Sequence, residues 1–408
     1  MKILTINTSC ATGGAARVAR TVHEELNLVD GVESIFVSGR DRVDGENIVE
    51  LGVCKSKLLF NVLFYRFFSK EGVLNQGLWQ TILDSYYNWA DVIHLHNVHG
   101  YYLPENILLK LLKKPVLWTL HDYWLGTGRC AMPPDNCRGV ESGCISCQYP
   151  RCYPSAWVDR ASSGKDYRKD LISQSSALFV TPSKTAMNAM VSMGVPANRL
   201  RVIENPIVDL PSIDFDEHTK NGIRQALGVS TNRLVMIFVA NRVDEPRKGF
   251  AVLWEALKCL PSSDKWLLLV VGEVSDLTKN KASPASVEVR FLGQVKKRQE
   301  LFDYLACADC FVNPSFSETF GLVNFEALAV GSPVICSDLP VFREFDLGVF
   351  RFHKPGDSEE LGRLLSEVAG SPPESENSMR LRIQSMCNRF SLENAVENYV
   401  DLYREIIS

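Results

Sequence analysis

Glu318 and Glu326 stand eight positions apart in the stretch NPSFSETFGLVNFEALAVGSP that runs from Asn313 to Pro333. Between them Thr319-Phe320-Gly321 makes a glycine turn that opens into a short helical run, and Gly331-Ser332-Pro333 ends it. A turn of this kind is an anion site. The first N–H groups of the helix have no internal acceptor, and the helix dipole adds partial positive charge there. Glu326, about one turn into the helix, is placed to accept from sugar hydroxyls, and Glu318 on the loop lies beside whatever the anion carries. Arg242 closes an apolar run and Lys248 precedes Gly249, so a guanidinium fork and an ammonium point charge can both reach a diphosphate. A diphosphate joined to a ribose and a second sugar is the ligand that suits this set.

A second group of reactive side chains sits earlier in the chain. VIHLH ends in His96-Asn97-Val98-His99, and VLWTL ends in His121-Asp122. In open α/β sheets ligands bind beyond the carboxyl ends of the strands, so His96, His99, His121 and Asp122 are placed for chemistry. Asp122 is expected to orient His121. Gly13-Gly14 forms a loop between a first strand and a first helix without the GxGxxG pattern, and lets a ligand approach the backbone. Five of the twelve cysteines crowd between Cys130 and Cys152. With the pair Cys144 and Cys147 in CxxC spacing, Cys130, Cys137, Cys144 and Cys147 have the arithmetic of a tetrahedral structural Zn²⁺ site. Two disulfides or free thiols are the other readings of the same residues.

Positioning such groups requires two α/β units. The chain has 408 residues, 46% hydrophobic and 23% charged, which is enough for two sizeable cores. A net charge of −4 gives no push toward nucleic acid. No apolar run is long enough to span a membrane, and the start lacks a leader's apolar core, so the expected compartment is cytoplasmic and reducing. Short apolar runs of the parallel-strand type recur from Lys2–Asn7 to Pro333–Ser337, alternating with helical patterns. They predict a first Rossmann-like domain over 1–206, with a Cys-rich insertion at about 126–153, and a second over 207–388. A C-terminal helix over 389–408 should pack back on the first domain. Asp214-Phe215-Asp216 falls in the polar linker, away from any strand end, and reads as solvated charge. KSKLLFNVLFYRFFSK, from Lys55 to Lys70, is a basic and aromatic amphipathic helix suited to an anionic membrane surface or to packing on a core.

The combination SETFG-x4-EAL, preceded by Arg242 and Lys248-Gly249, resembles the retaining GT-B glycosyltransferases of family GT4. Gly13-Gly14, Asn205-Pro206-Ile207 and Phe291-Leu292-Gly293 extend the likeness along the chain. WTLHDYWLGTGRC followed by CxxC is similar to a narrower set, the glycosyltransferases of colanic-acid-type exopolysaccharide and O-antigen synthesis. The resemblance implies two doubly wound domains facing a cleft and a UDP- or GDP-sugar donor without a catalytic metal. It also implies a polyprenyl-diphosphate-linked oligosaccharide acceptor at the inner membrane face. By the same resemblance Arg242 and Lys248 hold the diphosphate together with the N–H groups of Gly321 and Leu322. Glu326 takes the ribose, Glu318 the transferred sugar, and Thr319 and Phe320 line its pocket. Gln294 and Val295 meet the base, Gly13 and Gly14 lie under the diphosphate-sugar, and His121 contacts the sugar near the reacting carbon. Asn241 stands where the family commonly has glycine, and Thr319-Phe320 where it often has Gly/Pro-Phe, which alters the inferred pocket. A nucleotide-sugar epimerase or hydrolase, and a non-catalytic zinc-dependent scaffold, are the alternative functions.

Overall fold

The computed structural model describes residues 1–41, 45–134, 136–208, 217–261, 265–280, 284, 287–370 and 376–408, so the Asp214-Phe215-Asp216 run lies outside them. It divides into two compact units, Met1–Pro206 with Leu392–Ser408, and Ile207–Ser391.

The sheet of the first unit is built from β1 (Lys2–Asn7), β2 (Glu33–Ser38), β3 (Ile48–Glu50), β4 (Val92–Leu95), β5 (Val116–Thr119), β6 (Leu178–Thr181) and β7 (Leu200–Val202). Their order is β3-β2-β1-β4-β5-β6-β7, and every pairing is parallel. β4 and β5 are buried at every position, as strands covered by helices on both faces must be. The helix Leu392–Ile407 belongs to this unit and is anchored by polar groups. Tyr403 Oη lies 2.7 Å from His94 Nδ1, and Tyr399 Oη 3.2 Å from Thr119 Oγ1. Both tyrosines are fully buried, so each hydroxyl requires the partner it has.

The second unit contains β8 (Leu234–Arg242), β9 (Trp266–Glu273), β10 (Val287–Gly293), β11 (Cys310–Asn313), β12 (Val334–Ser337) and β13 (Phe350–His353). Its order, β10-β9-β8-β11-β12-β13, is again parallel throughout. In both sheets the strand order reverses beside the first strand, which puts a topological switch point between β1 and β4 and between β8 and β11.

The Cys-rich segment is ordered around one cation. Arg129 is buried, and its guanidinium donates to the carbonyls of Cys152 at 3.1 Å, Tyr149 at 2.8 Å and Pro154. Its Nη2 also approaches Cys147 Sγ at 3.1 Å. Three carbonyls converging on a delocalised charge help to order the segment.

Candidate functional site

At the second switch point two loops are pressed together by a glycine. Gly249 follows the single turn Pro246–Lys248 at φ 70°, and a Cβ there would lie 1.9 Å from the carbonyl oxygen of Pro314. No other residue permits this approach. Phe316 N–H donates to Arg247 O at 2.7 Å and completes the join between the loops that follow β8 and β11. The join brings Lys248 Nζ to 2.5 Å from Glu318 Oε1, with Ser315 Oγ donating to the same oxygen at 3.0 Å and Arg247 Nη1 3.8 Å from Oε2. Burial pushes the Glu318 carboxyl up, but Lys248 and Arg247 outweigh it and hold it below the usual carboxylate range. Burial lowers the Lys248 ammonium, with Glu318 opposing. Lys248 and Glu318, read from sequence as serving different parts of a ligand, thus neutralise one another.

The helix Leu322–Ala329 starts at Gly321, whose φ of 85° turns the chain out of the loop, and no side chain caps it. A Cβ on Gly321 would meet the Phe342 ring at 2.5 Å. The N–H groups at this helix start are the ones the sequence marks for an anion. Glu326 is 2% exposed and takes a hydrogen bond from Arg298 Nη2 at 3.0 Å. Phe320 does not line a pocket: its ring is buried against Phe325, Phe345 and Phe390 at 5.0, 4.9 and 5.5 Å, leaving only its backbone for a ligand. Thr319 and Leu322 are half-buried. Arg242 is exposed at the end of β8. Gln294 is also exposed, with its Nε2 3.5 Å from Asn241 Oδ1, whereas Val295 packs on the core.

In the first unit His96, His99, His121 and Asp122 line one small cleft beyond β4 and β5. The pairing differs from expectation: Asp122 Oδ2 lies 2.8 Å from His99 Nε2, while His121 Nε2 lies 2.9 Å from His96 Nδ1. Asp122 therefore orients His99, and a second imidazole orients His121. Burial lowers His121 to about 4, so it is a neutral donor or acceptor at physiological pH. Gly13 and Gly14 are exposed, and the space where a Cβ on Gly13 would stand is open. Asp41, which sequence reading passed over, holds the preceding loop. It accepts from Ser9 Oγ, Ser38 Oγ and the N–H groups of Cys10 and Ala11, which together outweigh burial and keep its carboxyl below the usual range.

Cys130 lies close enough to Cys137, Cys147 and Cys152 to interact electrostatically with each of them. Among the described residues no three His, Cys, Asp or Glu side chains are placed to hold a metal ion, and every cysteine is a free thiol. Cys144 is buried at φ 59°, and its Cβ would be 2.7 Å from a Cβ on Gly128, so it packs on that loop. The exposed side of the helix Lys55–Phe68 carries Leu59, Phe60, Leu63, Phe67 and Phe68, and only Asn61 and Tyr65 are buried. Packing on a core therefore does not account for its apolar face. No described helix is long and apolar enough to cross a membrane.

Residues 12–209 match Glycosyltransferase Family 4 and residues 219–380 match Glycosyl transferases group 1. The chain is 27% identical over 369 residues to the colanic acid biosynthesis glycosyl transferase WcaC of Escherichia coli (strain K12), covering 84% of this chain and 85% of that one. It is 35% identical over 132 residues to the teichuronic acid biosynthesis glycosyltransferase TuaC of Bacillus subtilis (strain 168), covering 32% of each. The structure of Anabaena HepE in complex with UDP and glucose superposes with a TM-score of 0.69 at 17% identity, covering 99% of this chain and 100% of that one. With a glycosyltransferase domain in each half and two parallel sheets of seven and six strands, the chain belongs to the family 4 glycosyltransferases and has the GT-B fold.

Proposed function

We propose that this protein transfers a glycosyl group with retention, from a UDP- or GDP-sugar to a growing lipid-linked oligosaccharide, in the synthesis of a bacterial surface polysaccharide. The observation that carries this reading is the Lys248–Glu318 pair beside the start of the helix Leu322–Ala329. In it a half-buried ammonium is matched to an anion beside the N–H groups that start the helix. The likeness to WcaC and TuaC supports polysaccharide synthesis, and the UDP complex of HepE supports a nucleotide donor.

The leaving group is a nucleoside diphosphate, and its developing charge is the quantity to stabilise. In this reading the diphosphate displaces Glu318 from Lys248 and takes Arg242 and the N–H groups of Gly321 and Leu322 as further donors. Glu318, released, turns to the hydroxyls of the transferred sugar. Glu326 accepts from the ribose, and in the first unit the neutral His121 is the group offered to the sugar. The bond from the anomeric carbon to the phosphate oxygen breaks, and a bond to the acceptor oxygen forms on the same face. The departing phosphate takes the acceptor proton. These cations supply the charge that a metal supplies in other transferases. The exposed face of the helix Lys55–Phe68, with Lys55, Lys57 and Arg66 around it, rests on an anionic membrane where such an acceptor is anchored.

The test is a panel of UDP- and GDP-sugars incubated with lipid-linked saccharide acceptors, with mass detection of product. A product heavier by one sugar is expected. Donor breakdown or isomerisation without acceptor would assign an epimerase or hydrolase instead, and absence of any nucleotide binding would leave a scaffold.

A further inference from the structure

Glu71 makes no hydrogen bond to the histidine cleft described above, although the charge of His99 acts on it. It follows the helix Lys55–Phe68, is 6% exposed, and accepts from the N–H of Tyr101 at 2.5 Å through Oε2. Its Oε1 has no hydrogen-bond partner. Burial pushes the carboxyl up to about 7. Four other residues around the same cavity of about 100 Å³ share this condition: Ser69 Oγ, Trp124 Nε1, Tyr167 Oη and Arg168 Nε are buried and unpartnered. Unpartnered buried polar atoms are costly and rare, and five around one cavity mark a place built for polar contacts.

The geometry holding Glu71 inward is demanding. Tyr101, a bulky residue, takes φ 71°, and a Cβ on Gly72 would lie 2.7 Å from the Tyr102 carbonyl carbon. On the other wall Gly164 sits so close to the Gly128 carbonyl that a Cβ would be 2.0 Å from it, which brings Tyr167 and Arg168 to the cavity. Three cations line the cavity, of which Arg160 is exposed and donates from Nε to Phe67 O at 3.3 Å. Lys70 pairs with Glu105 at 2.5 Å, and Arg168 Nη1 donates to the carbonyls of Gly128 and Gly164 at 2.8 Å. What remains open is a carboxyl, two hydroxyls and an indole N–H, beside the aromatic rings of Tyr65 and Phe68. A phosphate would meet the Glu71 carboxyl. A neutral sugar would find acceptors and donors for its hydroxyls and apolar surface for its C–H face.

We infer that this cavity takes the hydroxyl-bearing edge of a neutral sugar ring, with Glu71 accepting from ring hydroxyls and Tyr167 Oη and Trp124 Nε1 as further partners. The inference rests on the transferase reading, which requires a place for an acceptor saccharide besides the donor sugar. Water is the competing occupant of the same cavity.

The two are separated by titrating the full-length protein with methyl glycosides of glucose, galactose, mannose, fucose and N-acetylglucosamine, followed by saturation-transfer NMR. Wild type, Glu71→Gln and Tyr167→Phe are compared, and UDP and GDP binding is measured in parallel by calorimetry. Tyr167→Phe removes only an oxygen that has no partner, so its folding should be unimpaired. At least one glycoside should bind wild type, and both variants should weaken it about fivefold or more, with nucleotide affinity unchanged. No binding by any glycoside, or equal binding by wild type and both variants, would overturn the inference and leave a hydrated cavity. Failure of wild type to bind either nucleotide would count against the transferase reading alone, because the glycoside titration needs no nucleotide.

Discussion

Lowering the pH from 7 to 5 should unfold the first unit well before the second. Burial lowers four of its histidines: His94 to about 3, His23 and His121 to about 4, and His96 well below its ordinary value. At pH 5 these imidazoles are neutral in the folded protein, whereas in the unfolded chain, near 6.5, most are protonated. The unfolded state then binds more protons, so the stability they confer is complete above about pH 6.5 and is lost as the pH falls. A shift from 6.5 to about 4 is worth about 2 kcal/mol between pH 7 and 5, so His94, His23 and His121 taken as independent would cost about 6 kcal/mol, with His96 acting in the same direction. The sum is smaller in practice because His96 stacks on His121 and lies tilted against His94, and both depress it in turn. Glu71 acts in the opposite sense. Raised to about 7, it keeps a proton that an unfolded glutamate has shed above about 4.5, which returns about 2 kcal/mol as the pH falls to 5. The net loss of about 4 kcal/mol is a large part of the 5–15 kcal/mol that typically holds a domain together. The second unit has one such histidine among the described residues, His353, so its loss is at most a fraction of this. Scanning calorimetry from pH 7.5 to 5 should resolve two transitions, with only the first falling steeply. His23→Asn should remove about a quarter of that slope. A first transition independent of pH down to 5 would refute the reasoning.

Three further outcomes follow from particular contacts. Lys248→Met should weaken UDP or GDP binding by about 10- to 150-fold, the range for losing a charge-assisted hydrogen bond, and calorimetry showing unchanged affinity would remove Lys248 from the site. Gly249→Ala should destabilise the second unit by at least about 2 kcal/mol, because a left-handed residue and a 1.9 Å contact with Pro314 must both be relieved, and a denaturant midpoint equal to wild type would contradict it. Replacing Leu63 and Phe67 by serine should lower partition onto anionic liposomes by about tenfold or more, with nucleotide affinity retained; equal partition would exclude this face as the membrane contact.

The parts of the fold legible in the sequence are those in which burial is two-sided. Runs such as VIHL, VLWT and WLLLVVGE are apolar almost throughout because helices cover both faces of a parallel sheet, and each could be placed within a residue or two. The strands that escaped notice are edges. β3 has three residues and none is buried, while β13 reads FRFH and is half open to solvent, so neither has the apolar run that marks its neighbours. The amphipathic helix Lys55–Phe68 shows the reverse limit. Its pattern was visible, but whether the apolar face would be covered depended on neighbours far along the chain.

The site shows the same division between residue types and pairings. Lys248 and Glu318 could each be singled out, one as a cation before a glycine and the other in a glycine-turn motif, yet they are 70 positions apart and nothing local says that they touch. What joins them is strand order. Once β8 and β11 lie side by side at the point where the sheet reverses, the loops after them become neighbours, and Gly249 lets those loops close to van der Waals contact and below. The same logic explains the partners that escaped the sequence reading. Asp41 serves a loop 30 positions away, Arg298 meets Glu326 across 28, and Glu71 reaches Tyr101 across 30. Each is a single charged residue with no motif around it, and its role comes entirely from what the sheet brings near. Of the charged residues that sequence marks as ligand-binding, Lys248 and Glu318 satisfy one another and Glu326 takes a hydrogen bond from Arg298, whereas Arg242 is exposed. An incoming diphosphate must exchange with Glu318 rather than fill an empty charge, and so Glu318→Gln should bind free UDP at least as tightly as wild type while losing the preference for UDP-sugar over UDP.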